Sequence, residues 1–558
     1  MKNKFSSLKR EDIISDIKEN QLDVLVIGGG ITGAGIALDG VTRGLNIGVV
    51  DMQDFAAGTS SRSTKLVHGG LRYLKQFEVK LVAEVGKERA IVYENGPHVT
   101  TPEWMLLPFY KGGTFGPFST SIGLRVYDFL AGVKKEERRK MLSVQETMEK
   151  ESLLKKEDLK GSGYYVEYRT DDARLTIEVM KEAVKRGAKA LNYSKVESFI
   201  YENSKIVGVN VKDQLTHETY AIYAHYIINA AGPWVDELRT EDKSRTGKSL
   251  HLTKGVHLVF DQSRFPLKQA IYFDTPDKRM VFAIPRDGKT YVGTTDTTYT
   301  NNIEHPRMTE DDLHYIIKSI DFMFPEIKIK AEDVESSWAG LRPLIHEDGK
   351  DPSEISRKDE IFESPSGLLS IAGGKLTGYR KMAENIINLI TTKIQENGGQ
   401  HYPPSTTKNM PISGGDVGGS KQFPAFVKEN IEKGVALRLS KETAQMLTHR
   451  YGSNVHHLYD NIQLLNKIDC ELNLPNEVGA MLKYSLEEEM TCTPLDFFIR
   501  RTGALFFDIQ WVHQHKAAVI NHMAEVLQWT EEEKEQHTKE LEKHLHDAVH
   551  PAKDDQEA

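Results

Sequence analysis

Cysteine is scarce in this sequence, and its scarcity excludes one class of redox centre. The 558 residues include two cysteines, Cys470 and Cys492, which are far apart and form no CxxC pattern. An iron–sulfur cluster is held by about four Cys thiolates, so this chain alone cannot ligate one. A structural zinc site is disfavoured for the same reason. Low cysteine usage is typical of proteins that work in the reducing cytoplasm.

Long apolar runs and an excess of basic residues are also missing. No window approaches the ~18 uninterrupted apolar residues of a transmembrane helix, and the segment 1–20 lacks the apolar core of a signal peptide. We therefore expect any membrane association to be peripheral. The formal net charge of -9 does not indicate nucleic-acid binding. A site for an anion must then be a local cluster of cations.

The remaining composition is that of an ordinary globular protein, with 39% hydrophobic and 27% charged residues. The length suggests about two to four folding units. A stretch rich in Gly, Pro and Ser at 397–420 separates two parts. The part before it alternates β-like and helical patterns, whereas the part from about residue 423 is helical and charged. We expect an α/β nucleotide-binding domain that carries a second, more antiparallel sheet, followed by a C-terminal helical domain.

The strongest motif is a glycine-rich segment at residues 28–35. Gly28, Gly30 and Gly33 satisfy the GxGxxG pattern of a dinucleotide-binding turn. A short apolar run precedes the segment, a helix-compatible run follows it, and Asp51 ends the next apolar run, 23 residues after Gly28. These glycines permit a tight turn and close approach to a pyrophosphate, and Asp51 is placed to bind the adenosine ribose. The pattern predicts a bound dinucleotide but does not distinguish FAD from NAD.

Two further strand–turn segments favour FAD. Residues 226–234 and 369–377 each contain an apolar strand that ends in a small-residue turn, as in flavoproteins with two dinucleotide-binding regions. A helix start after the second turn would direct positive potential towards a flavin ring. A polar run after residue 58 can bind the pyrophosphate and ribityl chain. The predicted contacts in these segments are Ser60, Ser61, Ser63, Thr64, Ala231, Gly232, Gly373, Gly374, Lys375, Leu376 and Thr377.

Several motifs together resemble the FAD-dependent, respiratory glycerol-3-phosphate dehydrogenase family. The resemblance covers the chain from Asp23 to about Glu525. Gly378 stands where the family usually has a Thr, and the first twenty residues and the acidic tail have no clear counterpart. The motifs that carry it are residues 58–74, 293–296, 340–344, 373–380 and 493–502.

The resemblance implies an α/β fold of the Rossmann-like two-dinucleotide-domain flavoprotein class, with a mixed or antiparallel substrate sheet and a helical C-terminal domain. It implies noncovalent FAD, hydride transfer from C2 of sn-glycerol 3-phosphate to flavin N5, and electron passage to a membrane quinone at the inner face of the cell membrane. We expect an FAD-binding domain with an interleaved substrate domain over 21–403 and a helical domain over 404–558. The expected FAD part is 21–75, 160–255 and 335–395, and the expected substrate part is 76–159 and 256–334.

Residue chemistry and the resemblance together select the candidate catalytic groups. Oxidation of a secondary alcohol needs a base for the hydroxyl proton, and His68 has a suitable side chain. Arg72 and Arg342 can bind a phosphate with a planar fork, and Tyr73 can donate a hydrogen bond to it. Lys375 can bind phosphate or steady the reduced flavin. We assign catalysis to His68, Arg342 and Lys375, and substrate binding to Arg72, Tyr73, Arg342 and Lys375.

Other features have structural explanations of equal or greater weight. We expect Arg380 to be structural, and Arg500 and Arg501 to pack the domains together. Residues 109–118 and the basic run 134–140 form either a membrane-facing surface or a packed loop beside a solvated helix.

Two other functions stay open at this point. One is an oxidase that passes electrons from glycerol 3-phosphate to oxygen and makes hydrogen peroxide, and the other is a redox-silent flavin-binding protein. The sequence does not decide the oligomeric state, for which a homodimer is one candidate.

Overall fold

The computed structural model describes residues 5–68, 79–130, 137–347, 359–373, 375–467 and 473–553. The strands, in chain order, are β1 (Leu22–Ile27), β2 (Ile47–Val50), β3 (Leu66–Val67), β4 (Thr100–Tyr110), β5 (Lys140–Leu142), β6 (Leu159–Thr170), β7 (Lys189–Leu191), β8 (Ser194–Glu202), β9 (Lys205–Asp213), β10 (Thr219–Asn229), β11 (Lys248–Asp261), β12 (Ala270–Asp274), β13 (Met280–Arg286), β14 (Lys289–Gly293), β15 (Thr297–Thr298), β16 (Val334–Glu347), β17 (Glu360–Glu363) and β18 (Leu369–Ala372).

The α-helices are Arg10–Glu19, Ile31–Thr42, Val79–Asn95, Pro117–Leu130, Val144–Lys150, Asp172–Lys185, Val235–Glu241, Glu310–Met323, Tyr379–Glu396, Phe423–Ala436, Lys441–Tyr451, Val455–Leu465, Asn476–Glu488, Ala504–Phe507, Ile509–Leu527 and Glu531–Val549. Short 3-10 turns lie at Ser7–Lys9, Thr59–Ser61, Gly232–Trp234, Ala331–Asp333, Leu376–Gly378, Thr407–Asn409 and Gly452–Asn454, and Asp496–Arg501 forms a π-helix.

The first sheet positions the glycine-rich turn. Its strand order is β17-β18-β10-β1-β2-β7, and the neighbours from β18 to β7 run parallel. All four residues of β2 are buried, as is usual where helices cover both faces of a parallel sheet. Helix Ile31–Thr42 follows β1 directly and packs against helices Asp172–Lys185 and Tyr379–Glu396. The predicted strand, glycine turn, helix and strand are therefore all present.

The second sheet is mixed and mainly antiparallel. Its strand order is β15-β11-β14-β13-β12-β4-β6-β3, with β16 paired to β11 and β5 paired to β6. The pairing of β12 with β4 is parallel. Helix Glu310–Met323 packs on this sheet through Leu313, Ile316 and Ile320, which are buried in the same apolar cluster as Val256 and Leu258 of β11. The α/β fold class with a second sheet and a helical C-terminal domain is confirmed.

The sheet pairing divides the chain differently from the expected FAD and substrate parts. The ranges 160–255 and 335–395 would place most of β6 and β16 in the FAD part. Both strands instead pair within the second sheet, β6 with β3, β4 and β5, and β16 with β11. The alternation of apolar and polar residues does not reveal which strands pair, because the partner of a strand is set by contacts that are distant in sequence. The domain boundaries themselves stay a prediction.

The N-terminal segment docks onto the nucleotide-binding region. The N-terminal segment forms a helix, and Arg10 makes a buried ion pair with Asp213, 2.7 Å apart. Phe5 stacks on Phe55 with ring centroids 5.5 Å apart. Residues 5–20 therefore support the nucleotide-binding region.

Residues 109–118 divide between core and surface. Phe109 and Phe115 are buried, whereas Phe118 is 80% exposed. Part of the basic run 134–140 lies outside the described residues. Within the described chain, every helix is too short or too polar to cross a bilayer.

Candidate functional site

The glycine-rich turn forms a backbone cradle that side chains would fill. Gly28 has φ +111°, and a Cβ there would lie 2.5 Å from the carbonyl oxygen of Ala230. A Cβ on Gly33 would lie 1.8 Å from the carbonyl oxygen of Gly28, and one on Gly30 would lie 3.0 Å from Ser60 Oγ. Gly28 and Gly30 line a cavity at this turn. The absence of side chains at these positions fits the close approach of a dinucleotide pyrophosphate to a helix start.

Asp51 lines the same cavity at the end of β2. Its carboxylate accepts hydrogen bonds from the backbone N–H of Gly29 at 2.6 Å and of Gln53 at 2.9 Å. Burial raises the pKa of Asp51 to about 7, although these two backbone groups oppose the shift. A carboxylate fixed at the strand end is suited to accept hydrogen bonds from ribose hydroxyls.

Four hydroxyl side chains after residue 58 were predicted to contact the cofactor, and two of them line the cavity. Ser60 and Ser63 line the cavity, and Ser60 Oγ accepts a hydrogen bond from the N–H of Ile31 at 2.9 Å. Ser63 Oγ donates to Asp172 at 2.7 Å. Ser61 is buried, and its Oγ has no hydrogen-bond partner within the described part of the chain. Thr64 Oγ1 lies 3.0 Å from His257 Nε2, so its hydroxyl contacts the second sheet.

The second and third turns complete the cavity wall. Ala231, Gly232, Gly373, Lys375 and Leu376 line it, and Gly374 lies outside the described residues. The third turn leads into a 3-10 turn, and the α-helix begins at Tyr379. Lys375 therefore precedes both the 3-10 turn and the α-helix.

A hydrogen bond connects His68 to the 3-10 turn that follows the third turn. Thr377 donates a hydrogen bond from Oγ1 to the carbonyl oxygen of His68 at 3.2 Å. Burial lowers the pKa of the His68 imidazole; Glu167 opposes this shift, and the charges of Lys375 and Arg89 add to it. A neutral imidazole has a lone pair that can accept a proton. The structure thus brings together His68, Thr377 and Lys375, while Arg72 and Tyr73 lie outside the described residues.

Arg342 approaches the site from the second sheet. Its Nη2 donates to Thr294 Oγ1 at 2.9 Å, and its Nη1 lies 3.3 Å from Asp296 Oδ1. The side chain is 33% exposed. Pro343, the next residue, lines the cavity together with Lys375, whereas Arg342 is not among the lining residues. The two predicted cations are therefore neighbours of one cavity but come from different sheets.

Several lining residues were not selected from the sequence. Thr32, Thr59, Lys195, Trp234 and Glu237 all line the cavity. Thr32 lies inside the glycine motif and Thr59 inside a motif of the resemblance, so both had a usable signal. Trp234 ends the segment 226–234 that favoured FAD and also had a signal, whereas Lys195 and Glu237 had none, because their approach depends on how β8 and the helix after β10 fold over the nucleotide region.

His257 is a buried imidazole that sequence reasoning also missed. It stacks on Trp338 with ring centroids 4.7 Å apart. Burial lowers its pKa well below the ordinary value, and Arg342 and Lys65 add to the shift. A single His in a β-strand has no pattern that distinguishes it from a core residue. Among the described residues, no group of His, Cys, Asp and Glu side chains is arranged to hold a metal ion.

Family models and curated relatives match most of the chain. The FAD-dependent oxidoreductase family matches residues 23–379, and the C-terminal domain of alpha-glycerophosphate oxidase matches residues 405–534. The chain is 65% identical over 551 residues to the aerobic glycerol-3-phosphate dehydrogenase of Bacillus subtilis, covering 99% of each chain. It is 57% identical over 548 residues to that of Staphylococcus aureus strain MRSA252, covering 98% of each.

Solved structures show the same relationship. The X-ray structure of the glycerol-3-phosphate dehydrogenase from Bacillus halodurans, complexed with FAD, matches with a TM-score of 0.85 and 53% identity over 99% of each chain. The L-alpha-glycerophosphate oxidase of Mycoplasma pneumoniae shares the fold, with a TM-score of 0.55 and 17% identity over 70% of this chain and 98% of that one.

These comparisons confirm three expectations from the sequence, namely the family resemblance, an oxidoreductase fold and FAD as the cofactor. The glycine cradle and Asp51 are features of this structure that fit a bound FAD. The chain belongs to the aerobic glycerol-3-phosphate dehydrogenase family of FAD-dependent oxidoreductases.

Proposed function

We propose that this protein oxidises sn-glycerol 3-phosphate to dihydroxyacetone phosphate with FAD and passes the electrons to a membrane quinone. The observation that carries the proposal is that a half-buried imidazole lies near a cation that lines the dinucleotide cavity, since Thr377, two residues after Lys375, donates a hydrogen bond to the His68 carbonyl oxygen at 3.2 Å. His68 and Lys375 interact electrostatically there, and Lys375 lines the cavity that Asp51 and Gly28 also line.

His68 has the properties of the base. Its lowered pKa keeps the imidazole neutral at physiological pH, so it can accept the proton of the substrate C2 hydroxyl. When bound, FAD supplies the acceptor for the C2 hydride. Loss of one proton and one hydride converts the secondary alcohol to a ketone, so protons and electrons balance without another reactant.

Cations select the substrate in this proposal. Lys375 lines the cavity, and Arg342 stands beside the lining residue Pro343. A guanidinium and an ammonium bind a phosphate dianion through charge-assisted hydrogen bonds. Arg72 and Tyr73 are proposed to add to this set from the segment that lies outside the described residues. Together these groups favour a phosphorylated substrate over glycerol itself.

A quinone is the proposed acceptor. Cys492 is buried, and burial raises the pKa of its thiol to about 12, so it offers no reactive thiolate for electron relay. Two cysteines in the chain also leave no iron–sulfur relay. The proposed site of action is the inner face of the cell membrane, with Phe118 available on the surface for a peripheral contact. A homodimer is the assembly to test in solution.

Anaerobic stopped-flow mixing tests the proposal. Mixing with glycerol 3-phosphate is expected to reduce the flavin and bleach its absorbance, whereas mixing with glycerol is not. A short-chain quinone is then expected to restore the absorbance faster than oxygen. Faster recovery with oxygen and release of hydrogen peroxide would instead identify an oxidase. Failure of glycerol 3-phosphate to bleach the flavin would identify a redox-silent flavin protein.

A further inference from the structure

Asp54 joins the cofactor loop to the C-terminal domain. It lies three residues after Asp51 and is fully buried. Asp54 Oδ2 accepts hydrogen bonds from Arg500 Nε at 2.5 Å and Arg501 Nη1 at 2.8 Å. Asp54 Oδ1 accepts from Arg501 Nη2 at 3.0 Å and Asn192 Nδ2 at 2.9 Å. Burial alone would raise the pKa of Asp54, yet the two guanidinium groups lower it below its ordinary value.

The two arginines are themselves held in place. Arg500 Nη2 donates to Asp496 Oδ1 at 2.6 Å, and Asp496 also accepts from the hydroxyl of Tyr193 at 2.7 Å. Arg501 donates from Nε at 3.1 Å and from Nη2 at 2.6 Å to the carbonyl oxygen of Glu489. A planar guanidinium with several fixed partners defines the position of the carboxylate that it binds.

The same short loop carries the cofactor contacts. Asp51, Met52, Gln53 and Ala57 line the dinucleotide cavity. The N–H of Ser194 donates to the carbonyl oxygen of Asp51 at 2.6 Å, so the loop is held at its start by the backbone. Its other end depends on Asp54, because the N–H of Ala57 donates to the Asp54 carbonyl oxygen at 3.1 Å. A shift of Asp54 would therefore move the wall of the cavity.

The charges act on Asp51 as well. Arg500 lowers the pKa of Asp51, whereas Asp54 raises it. Simple domain packing would not require this arrangement, since apolar residues of similar volume often replace buried ion pairs without loss of stability. A bidentate carboxylate–guanidinium contact beside a binding loop fixes the position of that loop, which apolar packing does not do.

We propose that Arg500 and Arg501 are positioning residues for FAD. Through Asp54 they hold the loop 51–57 so that Asp51 and Gln53 meet the adenosine end of the cofactor. The helical C-terminal domain is thus part of the FAD-retention machinery and not only a partner in folding. This inference rests on the FAD cavity, and it depends on neither the substrate nor the electron acceptor.

The test measures release of FAD from the holoenzyme. Serial dilution of each holoenzyme frees flavin, and the rise in flavin fluorescence gives the dissociation constant. Arg500→Lys and Arg501→Lys are made separately, since each keeps the charge but loses the fork. The matched control is Asp312→Asn, which breaks a buried ion pair between Asp312 and Lys254 (2.9 Å) away from the cavity wall. The unfolding temperature of each protein is measured in parallel.

Each arginine variant is expected to raise the FAD dissociation constant at least about tenfold, as loss of charge-assisted hydrogen bonds predicts. Asp312→Asn is expected to lower the unfolding temperature by a similar amount while its FAD dissociation constant stays within about twofold of wild type. The proposal is overturned if the arginine variants retain FAD as wild type does. It is also overturned if the control loses FAD in proportion to its lost stability, because the effect would then be structural alone.

Discussion

The two ends of the cofactor cavity differ in the sign of the charged groups that would meet a ligand. At the Asp51 end, the ionisable groups are carboxylates, and backbone N–H groups and buried guanidiniums already bind them. At the other end, the proposed functional groups are the imidazole of His68 and the cations Lys375 and Arg342. The first end is held by contacts within the protein. The second concentrates positive charge, which an anionic substrate offsets.

Filling the glycine cradle should have the largest effect. Gly30→Val adds a branched side chain at a position where even a single Cβ would lie 3.0 Å from Ser60 Oγ. We expect the purified variant to carry no FAD, because the side chain occupies the position of the pyrophosphate. The ratio of flavin to protein absorbance measures this. The control is Gly123→Ala, where a Cβ meets nothing within 4 Å. Normal FAD content in Gly30→Val would remove the cradle from the cofactor site.

Removal of the imidazole tests the other end alone. His68→Gln should slow flavin reduction at saturating glycerol 3-phosphate by about 10²–10⁴-fold, the usual contribution of a general base. FAD content should be unchanged, because the side chain is not part of the glycine cradle. Anaerobic stopped-flow absorbance gives the rate. A reduction rate equal to that of wild type would place the base elsewhere.

Arg342 tests whether the positive charge selects phosphate. Arg342→Met should lower kcat/KM for glycerol 3-phosphate about 10–100-fold more than for glycerol, as the loss of one charge-assisted contact predicts. Steady-state assays on both substrates give the ratio. Arg264→Met is the control, since Arg264 forms an exposed ion pair with Asp333 at 2.7 Å. Equal losses on the two substrates would show that Arg342 does not bind phosphate.

The pH dependence of FAD affinity should have the smallest effect, and it concerns the Asp51 end. Burial raises the pKa of Asp51 to about 7, with Asp54 adding to the shift and Arg500 opposing it. Protonation removes an acceptor, so the FAD dissociation constant should rise as the pH falls below 7, by at most about tenfold per unit. Fluorescence titration from pH 5 to 8 measures the slope. An equally steep slope in Asp51→Asn would assign it to another group.

Sequence patterns were sufficient where neighbouring residues build the structure. The strand before Gly28, the helix after Gly33 and Asp51 at the next strand end all follow from local periodicity and spacing. FAD followed once the segments near residues 230 and 373 were added. The contribution of Arg500 and Arg501 to domain packing was also predicted, and their buried ion pairs are consistent with it.

Contacts between distant residues were not predictable in the same way. The hydroxyl of Thr64, which stays a predicted cofactor contact, lies 3.0 Å from the ring of His257, 193 residues away, and the sequence did not indicate this contact. The placement of β6 and β16 in the second sheet depends on pairing register, which a single sequence does not reveal. Lys375 precedes its helix because a 3-10 turn intervenes, and propensities do not locate helix ends to one residue.

The stacking of Phe5 on Phe55 has a consequence for the order of biosynthesis. A Cβ on Gly29 would lie 2.3 Å from the Phe55 ring, so this ring covers the glycine turn from outside while Phe5 covers the ring. Phe55 belongs to the loop 51–57. Arg501, which lies much later in the sequence, binds this loop through Asp54. A growing polypeptide on the ribosome acquires the first support once Phe55 has been made and the second only after Arg501 has been made. Flavin loading should therefore follow synthesis of the whole catalytic region instead of accompanying it.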